Sequence, residues 1–199
     1  MERVRSQLGF KHMLVVDCVG KSGGLALPWM AEFGVEIQNY SRRHINAKVC
    51  SSSIDPGWKF TDFYGHLDTS KRMEAWSLLR YIAQMEPSPW VCLGDFNEIL
   101  NLDEKYGGSW RQRGLMENFQ KTLDDCGLSK LEYRCPKFMW NNGKEGADFI
   151  KERLDRMVAN KEWCEAYPEV EVIIGPAICS DHSPLSVFLK GQGLGRRRP

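Results

Sequence analysis

Three short polar clusters combine residue types that could bind a metal ion, move a proton or hold a phosphate group. The first contains Asp95 and Asn97, which follow the continuous apolar run 90–93. A carboxylate at the end of a buried strand is costly unless it is paired or used, and the sites of α/β proteins gather at strand ends. The pattern therefore favours a functional carboxylate, and an Asx turn that leaves a strand is the alternative.

The other two clusters lie nearer the C-terminal end of the sequence. Strand-like alternation in one of them would place Arg153 and Asp155 on the same face, although a solvated charge run is the favoured interpretation of this cluster taken alone. In the other, the neighbouring Asp181 and His182 suit a carboxylate ligand for a hard metal ion and a polar group that contacts phosphate. Taken alone, such a pair is more often a capped turn, which Pro184 after Ser183 also fits.

The elements that must position these clusters follow from the apolar patterns. Apolar runs that alternate or are continuous predict strands at 13–17, 25–27, 35–40, 45–50, 58–64, 90–93, 138–140, 150–158, 170–174 and 184–189. Apolar residues at helical spacing predict helices at 70–86 and 115–126. The stretch up to residue 65 is predicted to be an antiparallel meander that begins with a hairpin. Strands at both ends with helices between them predict a layered α/β domain with mixed sheets.

The length and charge of the chain indicate its class. With 199 residues it is predicted to be one domain over 1–190, followed by a basic, frayed tail at 191–199. A net charge of +1 does not indicate a strong nonspecific nucleic-acid binder, and it leaves room for a local basic face. The basic segments 42–44 and 196–198 are interpreted as solvated charge rather than as DNA contacts.

Cysteine usage and hydropathy indicate the compartment. The seven cysteines are scattered without a CxxC pair, which favours reduced thiols over a disulfide framework or a zinc site. No apolar run of the sequence approaches the ~20 residues that span a bilayer. Charged residues follow Met1 almost directly, so no signal peptide is predicted. We therefore expect an intracellular protein without a membrane segment.

In their order along the chain, the three clusters resemble the motifs of the endonuclease/exonuclease/phosphatase family, which includes deoxyribonuclease I-like nucleases and apurinic endonucleases. The resemblance covers about 8–189. Further segments are similar to the endonuclease domains of plant non-LTR retrotransposons. They are Phe63-Tyr64-Gly65, Arg72-Met73-Glu74-Ala75-Trp76, Pro89-Trp90, Glu104-Lys105-Tyr106-Gly107-Gly108, Trp140-Asn141-Asn142 and Glu152-Arg153-Leu154-Asp155-Arg156.

The resemblance implies a four-layer αββα sandwich, with two mixed β-sheets packed face to face and helices outside. It also implies hydrolysis of phosphodiester or phosphomonoester bonds with Mg²⁺ or Mn²⁺. The retrotransposon members of the family nick target DNA so that a reverse transcriptase can prime from the 3′-hydroxyl. DNA is therefore the expected substrate and the nucleus the expected place of action, without a membrane or a stable protein partner.

The resemblance also implies roles for individual residues. Asp95 would orient or deprotonate the attacking water, and Asn97 would hold that water or a phosphate oxygen. His182 would bond the scissile phosphate and stabilise charge in the transition state. Asp155 would bond the far ring nitrogen of His182 and fix its tautomer. Asp181 would bind the metal ion directly or through water.

Two aromatic residues also bear on the resemblance, and the N-terminal part of the sequence differs from the family pattern. Tyr64 matches the family's phosphate-contacting tyrosine, and Trp140, which is predicted to lie near a loop, is a candidate substrate contact. Family members begin with a strand-helix-strand unit that ends in a metal-binding glutamate, and this sequence starts beyond that unit. We therefore expect a sandwich that is incomplete at its N-terminus, with weakened metal binding. A catalytically inactive retroelement remnant is the alternative, and a phosphatase for small or lipid substrates is a third interpretation.

Overall fold

The computed structural model describes residues 1–18, 24–50, 57–133, 137–178 and 180–189, and the predicted tail at 191–199 lies outside them. The α-helices in these ranges are α1 (Glu2–Gln7), α2 (Arg72–Ala83), α3 (Arg113–Asp125) and α4 (Lys161–Ala166). None of the described helices is long and apolar enough to cross a membrane. Short 3-10 helices cover Thr69–Lys71, Leu102–Glu104 and Gly146–Asp148. The strands are β1 (His12–Val16), β2 (Leu25–Trp29), β3 (Gly34–Ser41), β4 (His44–Cys50), β5 (Trp58–Tyr64), β6 (Trp90–Asp95), β7 (Lys105–Tyr106), β8 (Ser129–Lys130), β9 (Trp140–Asn141), β10 (Lys151–Glu152), β11 (Asp155–Ala159), β12 (Glu171–Ile174) and β13 (Leu185–Phe188).

The largest sheet has six strands in the order β3-β4-β5-β6-β11-β8. Strands β5 and β6 are parallel, because the chain crosses from one to the other through α2. The other neighbouring pairs of this sheet are antiparallel. The predicted α/β fold with mixed sheet pairing is therefore confirmed. Its topology brings the ends of β5 and β6 beside the start of β11.

Three smaller sheets are formed by the described residues, in the orders β1-β2, β7-β10-β9 and β12-β13. The predicted hairpin is β1–β2, but β2 does not pair with β3, so the prediction of one continuous meander was wrong at this point. Pro28 lies in β2 and has no N–H to donate, which suits a strand at the edge of a sheet. The meander itself consists of β3, β4 and β5.

The predicted strand at 150–158 is divided between two sheets. The Arg153 N–H donates to the carbonyl of Glu104 (3.0 Å), and the carbonyl of Leu154 accepts from the Phe96 N–H (3.0 Å). Arg153 and Leu154 thus form the link between β10 in the three-stranded sheet and β11 in the six-stranded sheet. Asp155 is thus the first residue of β11, whereas the guanidinium of Arg153 stacks over the ring of Tyr133 at 3.7 Å.

Helices α2 and α3 cover one face of the six-stranded sheet. The ring of Trp76 on α2 stacks on Phe119 of α3, with 4.7 Å between the ring centroids. Phe63 of β5 and Phe96 complete this aromatic group. All four side chains are at most 1% exposed, and full burial of one such side chain stabilises a fold by about 1.5–3 kcal/mol. This packing fixes the crossover that precedes the polar end of β6.

The opposite face of the sheet is covered by α4 and the β12–β13 hairpin. The indole of Trp163 on α4 is fully buried and packs with Val91 of β6, Met157 of β11 and Val172 of β12. The side chain of Asn160 caps α4 by accepting from the Trp163 N–H at 3.0 Å. The β12–β13 hairpin is held against the large sheet in this way, and the loop between its two strands reaches the end of β6.

Candidate active site

The end of β6 is the centre of a row of polar residues on neighbouring strands. Asp95 is the Cα partner of Tyr64 on β5 and of Asp155 on β11. Alternation along β6 places Asp95 on the same face as Val91, which is the face covered by α4 and the hairpin. Neighbouring strands lie about 4.8 Å apart. The structure therefore brings three of the predicted site residues together at one end of the sheet.

The turn after β6 holds the side chain of Asp95 in place. The Asn97 N–H donates to Oδ1 of Asp95, and its Nδ2 donates to Oδ2, both at 2.9 Å. The same Nδ2 also donates to the carbonyl of Gly65 at 3.2 Å. Asn97 has φ +55°, a left-handed conformation that asparagine tolerates better than most residues. The Asx turn that the sequence left as an alternative is present, and it orients the carboxylate.

Two glycines allow the chains of β5 and β6 to approach this closely. A Cβ at Gly65 would lie 2.1 Å from the carbonyl oxygen of Phe96. A Cβ at Gly94, whose φ is +149°, would lie 1.9 Å from the carbonyl oxygen of Phe63. The Gly65 N–H donates to the carbonyl of Asp95 at 2.7 Å. Backbone approach at these two positions sets the distance between Tyr64 and the turn after β6.

His182 reaches Asp155 from the loop between β12 and β13. Its Nδ1 lies 2.7 Å from Oδ2 of Asp155, although the two residues are 27 positions apart. The loop is attached to the β9 region by a bridge between Trp140 and His182 and by a bond of 2.7 Å from the Ser183 N–H to the carbonyl of Met139. The ring is thereby held beside the row, with Nε2 directed away from the Asp155 bond.

Asp181 and Trp140 form a second contact of this loop. The Nε1–H of Trp140 donates to Oδ2 of Asp181 at 2.9 Å. The rest of the half-buried indole packs against Ile99, Met116 and Leu154. Asp181 is exposed, and the described residues provide no other hydrogen bond to its side chain. Trp140 thus supports Asp181, and its role as a substrate contact stays a prediction.

The pKa values of Asp95 and His182 are both raised above their ordinary values. Burial, followed by the charge of Asp155, raises the pKa of Asp95 to about 6, against the opposing effect of the Asn97 hydrogen bonds. Burial lowers the pKa of His182, but the hydrogen bond with Asp155 and the charges of Asp155, Asp95 and Asp181 outweigh it and leave that pKa raised. Both pKa values are raised, and a carboxyl with a pKa of about 6 beside an imidazole suits proton transfer near neutral pH.

Asp62 is a carboxyl that our sequence reasoning missed. It lies two residues before Tyr64, on the same face of β5, and its Cα partners on the adjacent strands are Ile45 and Leu93. Burial raises the pKa of Asp62 to about 6. The described residues offer its side chain neither a hydrogen bond nor an ion pair. The alternation at 58–64 would have revealed it, because it puts Asp62 among apolar positions.

A buried ion pair lies beneath the row, on the side of α3. Arg156 is 2% exposed, and its Nη2 donates to the carbonyls of Glu98 (3.1 Å) and Arg153 (2.8 Å). The carboxylate of Glu104 accepts from Nη1 and Nη2 at 3.1 and 2.7 Å. Burial raises the pKa of Glu104, but Arg156 reverses this and leaves that pKa below its ordinary value. One guanidinium thus connects the turn after Asn97 with the segment before β11.

The carboxylates near the end of β6 are candidate ligands for a metal ion. No three His, Cys, Asp or Glu side chains of the described ranges are close enough to enclose one. Mg²⁺ retains several waters and needs only one or two carboxylates. Asp181 is exposed and keeps Oδ1 available, and Asp95 and Asp155 add negative charge nearby. This donor set fits a hard divalent cation that has few protein ligands.

Solved structures of nucleases and phosphatases share this fold. The endonuclease domain of TRAS1, a telomere-specific non-LTR retrotransposon, superimposes with a TM-score of 0.67 at 12% identity, covering 91% of this chain and 81% of that one. The 3′ phosphatase NExo from Neisseria, bound to a product DNA hairpin, gives 0.65 at 16% identity, covering 94% and 82%. This is the deoxyribonuclease I-like fold.

A third similar structure belongs to a phosphomonoesterase. A mannosyl-6-phosphatase from Bacteroides thetaiotaomicron gives a TM-score of 0.59 at 15% identity, covering 94% of this chain and 79% of that one. No family model and no curated protein match the sequence. The likeness at these identities shows the deoxyribonuclease I-like sandwich and does not identify the substrate.

Proposed function

We propose that this chain is a divalent-metal-dependent phosphodiesterase that cleaves DNA. The observation that carries the proposal is that the mostly buried Asp95 lies beside Asp155 on the adjacent strand, and that Nδ1 of His182 lies 2.7 Å from Oδ2 of Asp155. Hydrolysis of a phosphodiester needs a group that activates water, donors on the phosphate and a cation, without a protein nucleophile. The row supplies the first two from its own side chains.

Asp95 activates the attacking water in this mechanism. With a pKa of about 6 it is mainly ionised at neutral pH and accepts a proton from a water bound at its carboxylate. Nδ2 of Asn97 is occupied by Asp95 and Gly65, so its Oδ1 is the atom that accepts from the water and orients it. The Asx turn keeps the two groups together and reduces the reorganisation that the reaction requires.

His182 acts on the phosphate from the other side of Asp95. Asp155 holds Nδ1, so a proton on Nε2 is directed at the substrate and can bond a non-bridging oxygen. The raised pKa of His182 favours the charged ring that stabilises a developing negative charge. Asp181 would hold Mg²⁺ or Mn²⁺, and such an ion would supply Lewis-acid charge at a phosphate oxygen.

Target nicking by a plant non-LTR retrotransposon, in the nucleus, is the biological form of this reaction that we propose. It is supported by the retrotransposon-like segments of the sequence and by the shared fold of the TRAS1 endonuclease domain. A second candidate is a retroelement remnant without activity. It is favoured by the lack of a three-ligand metal group in the described part of the chain.

Plasmid nicking distinguishes the two candidates. Purified protein is incubated with supercoiled plasmid in Mg²⁺, and in EDTA as a blank, and the rate of conversion to open circles is measured. We expect Asp95→Asn to lower this rate by about 10²–10⁴-fold, and His182→Ala by about 10²–10³-fold. The matched controls Asp17→Asn and His12→Ala change an exposed carboxylate and an exposed imidazole away from the row, and they retain the wild-type rate.

Each outcome of this assay decides something. Equal rates for wild type and both site variants would overturn the assignment of the row. A folded wild-type protein that does not nick in Mg²⁺ or Mn²⁺ would support the inactive remnant. Nicking that persists in EDTA would exclude the divalent cation from the mechanism.

A further inference from the structure

Arg43 extends the polar row by one more strand. The carbonyl of Arg43, in the turn that leads into β4, accepts from the Tyr64 N–H at 2.8 Å. Arg43, just before β4, therefore lies beside Tyr64 of β5, and Asp95 of β6 and Asp155 of β11 follow at the same end of the sheet. The row runs from a cation at one side to carboxylates at the other.

The side chain of Arg43 is held beside the turn after β6. Its Nη1 donates to the carbonyl of Gly65 at 3.2 Å, the same oxygen that accepts from Nδ2 of Asn97. Its Cζ lies 5.9 Å from the centroid of the Tyr64 ring. The guanidinium is thus fixed next to two residues of the proposed site, in contrast to the freely solvated charge that the sequence suggested.

The described residues provide no carboxylate partner for Arg43. The two arginines buried behind the site differ in this respect, because Arg72 pairs with Glu98 and Arg156 pairs with Glu104. A guanidinium that is held in position and has N–H groups left over is suited to an anion, and its planar fork matches a phosphate. The missing counter-ion therefore points to a ligand with negative charge.

We propose that Arg43 binds a backbone phosphate of the nucleic acid next to the scissile one, an inference that rests on the proposed function. Arg43 is two strand positions beyond Asp95, which is about 10 Å at the usual strand spacing. The bond to Gly65 keeps its guanidinium on that side of the row. His182 is held by Asp155, one strand further away, so we assign the phosphate at Arg43 as a different group from the phosphate at His182. A polynucleotide carries a neighbouring phosphate at every nucleotide, and it is the substrate class that we assign.

The salt dependence of DNA binding tests this contact independently of catalysis. Affinity for a short DNA duplex is measured in EDTA between 50 and 300 mM salt, for wild type, Arg43→Gln, Arg43→Lys and the adjacent control Arg42→Gln. Each phosphate contact contributes about 0.9 to the slope of log K against log salt. We expect Arg43→Gln to reduce the slope by about that amount, Arg43→Lys to restore it, and Arg42→Gln, which changes an exposed side chain, to leave it unchanged.

A kinetic comparison tests the substrate class. The loss of kcat/KM caused by Arg43→Gln is measured on duplex DNA and on bis(p-nitrophenyl) phosphate, a diester with one phosphate. A charge-assisted hydrogen bond corresponds to roughly tenfold or more, so the loss on DNA exceeds the loss on the small diester by about tenfold. Equal losses would overturn the second-phosphate assignment.

The outcomes separate this inference from the proposed function. Cleavage by wild type with an unchanged slope for Arg43→Gln would overturn the role of Arg43 and leave the nuclease intact. A reduced slope in a protein that does not cleave would support the phosphate contact and overturn the nuclease. Wild type that neither binds nor cleaves DNA would overturn both.

Discussion

Neutralising Asp62 should stabilise the protein at neutral pH. Burial raises the pKa of Asp62 from 3.8 to about 6, so the folded state retains the proton over a pH range in which the unfolded chain has lost it. Below about pH 4 the group is neutral in both states and costs nothing. Between about pH 4 and pH 6 the free energy of unfolding falls, because ionisation is easier in the unfolded chain. Two units at 1.36 kcal/mol each amount to about 3 kcal/mol at most.

The variant Asp62→Asn removes this cost while keeping the shape of the side chain. Urea unfolding at several pH values between 4 and 8 gives the free energy of unfolding of each protein. We expect the difference between the variant and wild type to grow through pH 4–6 and then to level off, up to about 3 kcal/mol in favour of the variant. Asp17→Asn removes an exposed carboxylate and provides the reference curve. A difference that does not change with pH would refute the assignment of the cost to ionisation of Asp62.

Two further predictions concern residues that hold the polar side chains at the end of β6 in position. Gly65→Ala places a methyl group 2.1 Å from the carbonyl oxygen of Phe96 and should cost about 2–3 kcal/mol in urea unfolding, whereas Gly114→Ala in α3 meets nothing within 4 Å and should add about 0.5–1 kcal/mol. Equal stability of these two variants would contradict the close approach. Trp140→Phe removes the bond to Asp181 and should raise the Mg²⁺ concentration for half-maximal nicking by about tenfold, and an unchanged requirement would separate Asp181 from the metal.

Local patterns in the sequence identified most elements but only part of their pairing. The helical spacing at 70–86 and the apolar run 90–93 were sufficient for α2 and β6, because both bury a regular face. The six-residue helix α4 is too short to show a period, and its signal is the capping Asn160 before Trp163. The division of the strand at 150–158 depends on a backbone bond to Glu104, about fifty residues away, which no local pattern contains.

The candidate site shows the same division between local and distant information. The position of Asp95 after a buried strand was enough to single it out. Its neighbours Asp155 and His182 were placed together only by the resemblance, because the sheet order that joins them is not encoded in any short segment. Arg43 was interpreted as solvated because it belongs to a short basic run, and such runs rarely specify a contact. The bond to Gly65 that fixes it spans 22 positions.

The charge along the row explains why substrate binding and reaction should be divided between its two sides. Asp95, Asp155 and Asp181 would repel a phosphate unless His182 is protonated and a divalent cation is bound. Arg43 has no carboxylate partner in the described part of the chain, so its attraction for a phosphate does not depend on the metal. A nucleic acid can therefore be held at the β4 side before the carboxylate side is neutralised. We therefore expect the affinity for DNA to depend on the guanidinium of Arg43, and the rate of cleavage to depend on the metal ion at Asp181.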